Sequence, residues 1–181
     1  MKVCLTGGIA SGKSLLCRYL NELGVKTIDA DDIVKTIDAD DIVHSLIPEE
    51  ERARLRKIVF NNPEERKKLE ARIHPIVRKT LLETVTGDTP LTIAVVPLLF
   101  EVQWEKDYDI IACVISSREK QIERMVANRG YTHEEALARL AAQMDAEEKA
   151  KRSDYVILND STEDNLKAQA AKFVQYLASR S

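Results

Sequence analysis

Apolar and polar positions follow two rhythms along this chain. Short apolar runs within Lys2–Thr6, Leu91–Val96, Asp109–Ser116 and Tyr155–Leu158 read as strands, and the continuous run at Leu91–Val96 is of the kind buried on both faces of a parallel sheet. Between them the apolar residues recur at helical spacing. Leu15–Leu23 predicts a helix stopped by Gly24, and Val25–Ile28 a further strand ending at Asp29-Ala30-Asp31. From Pro48 to Val85 the pattern is helical. Pro48-Glu49-Glu50-Glu51 makes a favourable first turn, and Leu55, Ile58 and Val59 an apolar face. Asn62-Pro63-Glu64-Glu65 starts another helix carrying Leu69 and Ile73; Pro75 is expected to kink or restart it before Ile76, Leu81, Leu82 and Val85. Gly87–Pro90 reads as a turn. Arg118–Asn128 is helical, Thr132-His133-Glu134-Glu135 resembles a capping box, and Thr162–Leu177 closes the chain as an amphipathic helix. Strands alternating with helices predict an α/β fold, a parallel sheet covered on both faces.

One stretch breaks the pattern. Lys26–Val34 (KTIDADDIV) recurs unchanged as Lys35–Val43. A nine-residue unit is too short for a solenoid repeat, which needs about 20 residues or more, so the repeat reads as a recent or engineered duplication. Both copies offer the same side chains to the second strand. Placing the second copy there would force nine residues to bulge from a tight helix-to-strand connection, so the first copy is the expected strand.

Composition narrows the class. The chain has 181 residues, enough for one domain with a real core, and 31% charged and 44% hydrophobic residues are ordinary for a globular protein. A net charge of −3 and a pI near 5.7 argue against nucleic-acid binding through a broad basic surface. No long apolar run follows Lys2 and no stretch could span a membrane, so no membrane partner and a cytoplasmic location are expected. Cys4, Cys17 and Cys113 lack metal-ligand spacing and read as three reduced core thiols.

The chemistry concentrates in Gly7-Gly8-Ile9-Ala10-Ser11-Gly12-Lys13-Ser14, which satisfies G-x-x-x-x-G-K-[ST] between a strand and a helix. Glycines let the backbone turn sharply and come close to an anion. The loop amides and the positive end of the next helix then point at phosphate. Lys13 would supply a charge to the outer phosphates, and Ser14 a hydroxyl ligand for Mg²⁺. No guanine-reading N/T-K-x-D follows, and no apolar strand ends in adjacent acids as in motor and transporter ATPases. What remains is the outline of a small-molecule kinase: an acidic pair after strand two, a helical insertion, and arginines 124, 129 and 139 late in the chain. Arginine suits the stabilisation of a transferring phosphoryl group.

LTGGIASGKS, VKTIDAD, LRKIVF, IHPIVR, VVPLLFE, and the run from Gln121 through Arg129, Gln143 and Lys149 to Val156-Ile157-Leu158-Asn159, taken in that order, resemble the dephospho-coenzyme A kinase family over nearly the whole chain. The resemblance implies transfer of the ATP γ-phosphoryl group to the ribose 3′-hydroxyl of dephospho-CoA, the last step of coenzyme A synthesis, with Mg²⁺ accompanying ATP. It implies a single P-loop kinase domain with a core of five parallel strands (about 1–34, 88–117 and 153–181), a helical CoA-binding region (about 44–87) and a mobile helical lid (about 118–152). Gly8, Ala10, Ser11, Gly12, Lys13, Ser14, Leu15 and Arg129 would hold ATP. Lys13, Asp31 and Arg124 would be catalytic, with Asp31 the general base. A carboxylate at the end of a strand beside the phosphate loop suits that task. Asp31, His74, Arg78, Pro97, Leu98, Glu101, Arg139 and Gln143 would face the acceptor. The enzyme would act as a monomer or weak homo-oligomer.

Three features depart from the family pattern. Leu15 stands where a second hydroxyl residue usually follows Lys-Ser. The stretch between DAD and LRKIVF is much shorter than usual. The third is the duplication. Two alternatives therefore stay open at this point: another small-metabolite kinase on the same core, and a catalytically impaired variant that only binds nucleotide.

Overall fold

The computed structural model describes residues 1–33, 63–86 and 91–180. Five parallel strands run β1 (Val3–Gly7), β2 (Lys26–Asp29), β3 (Thr92–Val95), β4 (Ile110–Ile115) and β5 (Tyr155–Leu158), in the sheet order β2-β3-β1-β4-β5. The described helices are α1 (Lys13–Glu22), α2 (Pro63–Val85), α3 (Arg118–Arg129), α4 (His133–Ala141), α5 (Ala146–Lys151) and α6 (Glu163–Ala178), with a single 3₁₀ turn at Glu105–Asp107. The five-stranded α/β core expected from the apolar runs is present. β1 lies at the centre, paired with β3 on one side and β4 on the other, so its C-terminal end opens into the crevice where ligands bind in such sheets.

Alternation along the strands divides the core in two. Val3 and Leu5 face one side of the sheet with Ile93, Val95, Ala112 and Val114, against Leu16 and Leu20 of α1 and Phe173 and Leu177 of α6. Cys4, Ala94 and Ile111 face the other side, against Val77 and Leu81 of α2 and the segment carrying Leu99, Phe100 and Trp104. Leu16, Leu20 and Phe173 are wholly buried, each contributing about 2 kcal/mol. On α6 the buried positions Leu166, Ala170, Phe173 and Leu177 form one stripe at helical spacing.

Gly24 ends α1 as expected. At φ 84° it donates its N–H to Asn21, while Val25 N–H returns to Leu20 O at 2.9 Å. These paired bonds satisfy the last carbonyls and swing the chain into β2. The capping box also forms: Thr132 Oγ1 accepts from Glu135 N–H and Glu135 Oε2 from Thr132 N–H.

Three expectations change. Helix α2 passes through Pro75 without restarting. Proline there removes one backbone bond, yet Ile73, Val77, Leu81 and Val85 keep one apolar stripe against the sheet on both sides of it. Strand β2 ends at Asp29, and residues 30–33 are helical, so Asp31 sits on the first turn after the strand rather than at its end. Cys4 and Cys113 are buried, but Cys17 is only half-buried, packed against the edge of the core rather than within it. Helix α5 has no counterpart among the expected elements, although Asp145 caps it, Glu147 and Glu148 occupy its first turn and Lys149 and Lys151 its last. The strand is formed by the first copy of the repeat. The second copy, the helix expected from Pro48 and the turn at 87–90 lie outside the described residues.

Candidate active site

Strand β1, the loop 8–12 and α1 follow one another without interruption, and the loop wraps the N-terminus of α1. Gly12 has φ 100°, and a Cβ there would run into the side-chain amide of Asn159. Only glycine fits. The Lys13 ammonium folds back to donate to the carbonyls of Gly7 at 2.7 Å and Gly8 at 2.8 Å. Burial, and then the nearby Lys149 ammonium, pull its pKa down to about 8.

The loop is also gripped from outside by side chains from distant segments. Gln143 Oε1 accepts the Ile9 N–H at 2.9 Å, and Gln121 Nε2 donates to Ile9 O at 2.7 Å, so the residue is clamped on both of its peptide groups. Asn159 Nδ2 donates to Ser11 O at 2.8 Å. The Arg124 guanidinium donates to Ala10 O, Ser116 Oγ and Asn159 O, tying the loop to the ends of β4 and β5. Arg124 thus braces the loop as well as facing the cavity. Gln121, Ser116 and Asn159 were not among the expected site residues. Their signal is polarity at positions the fold buries: they are 4%, 5% and 6% exposed.

These parts enclose a cavity of about 620 Å³, within the range of small-ligand sites. Its walls include Ala10–Leu15, Asp29, Asp31, Pro97, Arg124, Arg129 and Gln143. The expected phosphate-loop residues from Ala10 onward, the proposed base Asp31, the arginines 124 and 129, Pro97 and Gln143 therefore converge on one space. Asp29, two residues before the expected base and not itself an expected site residue, joins them. Its carboxyl is pushed up by burial, while the Asp31 N–H donated to its Oδ1 at 2.9 Å pulls the other way.

The remaining expected residues lie outside this cavity. Gly8 lines a neighbouring cleft beneath α4 and α5. His74 packs edge-on against Trp104 at 5.7 Å, and Arg78 makes two 2.6 Å bonds to Asp107, so both join α2 to the segment after β3. Leu98 is exposed beside Pro97. Glu101 pairs with Lys149 at 2.8 Å and accepts the Met144 N–H at 3.0 Å. Arg139 lies over the Tyr131 ring at 4.3 Å.

A phosphate loop of this shape serves many kinases, and comparison with known proteins separates them. The family model for dephospho-CoA kinase matches residues 1–165. The chain belongs to the dephospho-CoA kinase family. A dephospho-CoA kinase of Geobacillus kaustophilus is 37% identical, the match covering 93% of this chain and 92% of that one. A crystal structure from Thermus thermophilus superposes with a TM-score of 0.76 at 34% identity, covering 97% of each chain. The dephospho-CoA kinase from Campylobacter jejuni does so with 0.66 at 29% identity, covering 97% of this chain and 96% of that one. Family membership accounts for the order of the quoted motifs. No helix among the described residues is long and apolar enough to cross a membrane.

Proposed function

We propose that this chain transfers the γ-phosphoryl group of ATP to the ribose 3′-hydroxyl of dephospho-CoA, giving coenzyme A and ADP. The observation that carries the reading is the convergence of Lys13, Asp31 and Arg129 on one cavity in a member of this family. The acceptor 3′-oxygen forms a bond to Pγ while the bond from Pγ to the bridging oxygen breaks, leaving ADP. Asp31 takes the hydroxyl proton; it stands exposed on the turn after β2, open to an incoming acceptor. Lys13 leaves the loop carbonyls for the outer phosphates, and Arg124 and Arg129 offset charge on the transferring group from the lid side. Pro97, with Leu98 exposed beside it, forms the acceptor wall. His74 and Arg78 hold α2 against the segment that carries this wall.

The donors that would meet a divalent cation are oxygens: the exposed Ser14 hydroxyl and the carboxylates of Asp29 and Asp31, all on the cavity wall. Such a set suits Mg²⁺, which keeps several of its waters and takes few protein ligands. When bound with ATP, it would neutralise charge shared by the β- and γ-oxygens.

The test is ADP release from Mg-ATP with and without dephospho-CoA. Release that depends on dephospho-CoA, falling by about 10²–10⁴ in Asp31→Asn and unchanged in Asp40→Asn, the matching position of the second repeat copy, is the expected result. ATP binding without acceptor-dependent release would leave only a nucleotide-binding protein, and loss in Asp40→Asn alone would move the base to the second repeat.

A further inference from the structure

Among the described residues Lys149 is the one charged side chain that is wholly buried. An ammonium held out of water is destabilising unless its donors find partners, and here it has two. Nζ donates to Pro97 O at 2.9 Å and pairs with Glu101 Oε1 at 2.8 Å. Both partners belong to the segment that leaves β3 and passes the cavity, and Pro97 lines it.

The pair reaches the phosphate loop in two further steps. Glu101 Oε1 also accepts the Met144 N–H, which fixes the junction between α4 and α5. The preceding residue, Gln143, holds the Ile9 N–H. Pro97 O accepts a second bond, from Thr6 Oγ1 of β1 at 3.3 Å. One buried cation therefore ties the lid's return limb, the cavity wall and the strand that feeds the loop. Arg152, just past α5, extends the grip with Glu105 at 2.7 Å and the Phe100 ring at 4.5 Å. From the opposite side α2 holds the same segment through Trp104 and Asp107.

We propose that Lys149 is a positioning residue for phosphoryl transfer: through Glu101 and the Pro97 carbonyl it sets the Gln143–Met144 junction, and so the shape in which the phosphate loop receives ATP. The pair differs from a salt bridge elsewhere in the core in where its partners lie: the carbonyl is on the cavity wall, and the carboxylate also holds the lid junction. The inference rests on the kinase reading for its turnover arm only.

The experiment uses the full chain with Lys149→Met, Lys149→Arg and the double change Lys149→Met/Glu101→Leu. The double variant leaves no carboxylate unpaired, which separates positioning from the destabilisation that a lone buried charge would cause. Thermal melting, ATP affinity without acceptor, hydrogen exchange of the Ile9 and Met144 amides, and kcat and KM are read on each. The expected result is a double variant that melts close to the parent but binds ATP about tenfold more weakly, the scale such contact networks carry. Its kcat falls as well, both amides exchange faster, and Lys149→Arg recovers most of the ATP affinity. ATP affinity is read without dephospho-CoA, so a wrong acceptor would leave that arm standing. The proposal is overturned if the double variant folds and keeps the parent's ATP affinity and amide protection. Failure of the double variant to fold would overturn it too, because the pair would then be structural.

Discussion

The phosphate loop is held on two sides, and the holds differ in how far along the chain they reach. Inside, Lys13 returns to carbonyls six and five residues back, and the Ser11 N–H to Gly8. Outside, Gln121, Gln143 and Asn159 come from 112, 134 and 148 residues away. The inner hold belongs to an octapeptide and forms wherever a strand feeds a helix through it. The outer hold exists only once β4 has paired with β1 and β5 with β4. The loop's own charge is therefore supplied locally, and the shape that aims it is supplied by the whole fold.

Among changes to the loop and its clamp, Lys13→Ala gives the largest expected effect. It removes the one loop cation, and loss of such a preorganised group costs about 10²–10³ in turnover. ADP release under saturating ATP measures it. Gln143→Ala and Asn159→Ala remove neutral hydrogen bonds, each contributing about 1 kcal/mol, so ATP affinity should fall roughly fivefold with kcat less affected. If either outer change matched Lys13→Ala in turnover, the division between local charge and distant shape would fail.

The same comparison can be sharpened by pH. Burial and the Lys149 ammonium hold the Lys13 pKa near 8, below its ordinary 10.5. The free protein therefore loses this charge as pH rises through about 8, and ATP affinity should weaken from there upward, with proton uptake on binding at pH 8. Titration calorimetry in buffers of different ionisation enthalpy reads the uptake directly. Folding stability moves the other way. The unfolded chain holds this proton up to pH 10.5, so the penalty on the folded state is full below about 8 and is relieved between 8 and 10.5. Lys13→Ala should abolish the uptake, whereas Asn159→Ala should leave it in place.

What could be read from the sequence follows the same line. The strand, loop and first helix were legible because their determinants are neighbours: apolar residues, glycines, Lys13 and Ser14 within one short stretch. The capping box at Thr132 and the stop at Gly24 were legible for the same reason. The clamp on Ile9 was not, because nothing in Gln121 or Gln143 alone distinguishes a buried strut from a surface amide. Arg124 stood out by its chemistry, yet its bonds to Ala10, Ser116 and Asn159 depend on β4 and β5 lying side by side. The apolar pattern puts Asp31 at a strand end, whereas a helical turn begins at Ala30 and leaves Asp29 as the strand's last residue. A one-turn change of element at a strand end leaves no mark in apolar periodicity. Glu101 and Lys149 belonged to quoted motifs, but only the packed structure pairs them.

The smallest expected effect lies at Leu15, where the family pattern has a hydroxyl residue. Leu15 touches both sides of the problem: it lines the cavity and is partly buried against the core beneath α1. Leu15→Thr should therefore split. A hydroxyl at the first turn of α1 can add one hydrogen bond to phosphate, about 1 kcal/mol, so ATP should bind a few-fold more tightly. The lost apolar contact lowers stability by about 1 kcal/mol. Calorimetry of ATP binding beside a thermal melt separates the two. Tighter binding with a lower melting temperature would show that leucine at this position trades a local phosphate contact for packing that serves the whole fold. Unchanged affinity would mean that the loop amides and Lys13 already meet the phosphates fully, and that the hydroxyl is dispensable once the outer clamp has set the loop.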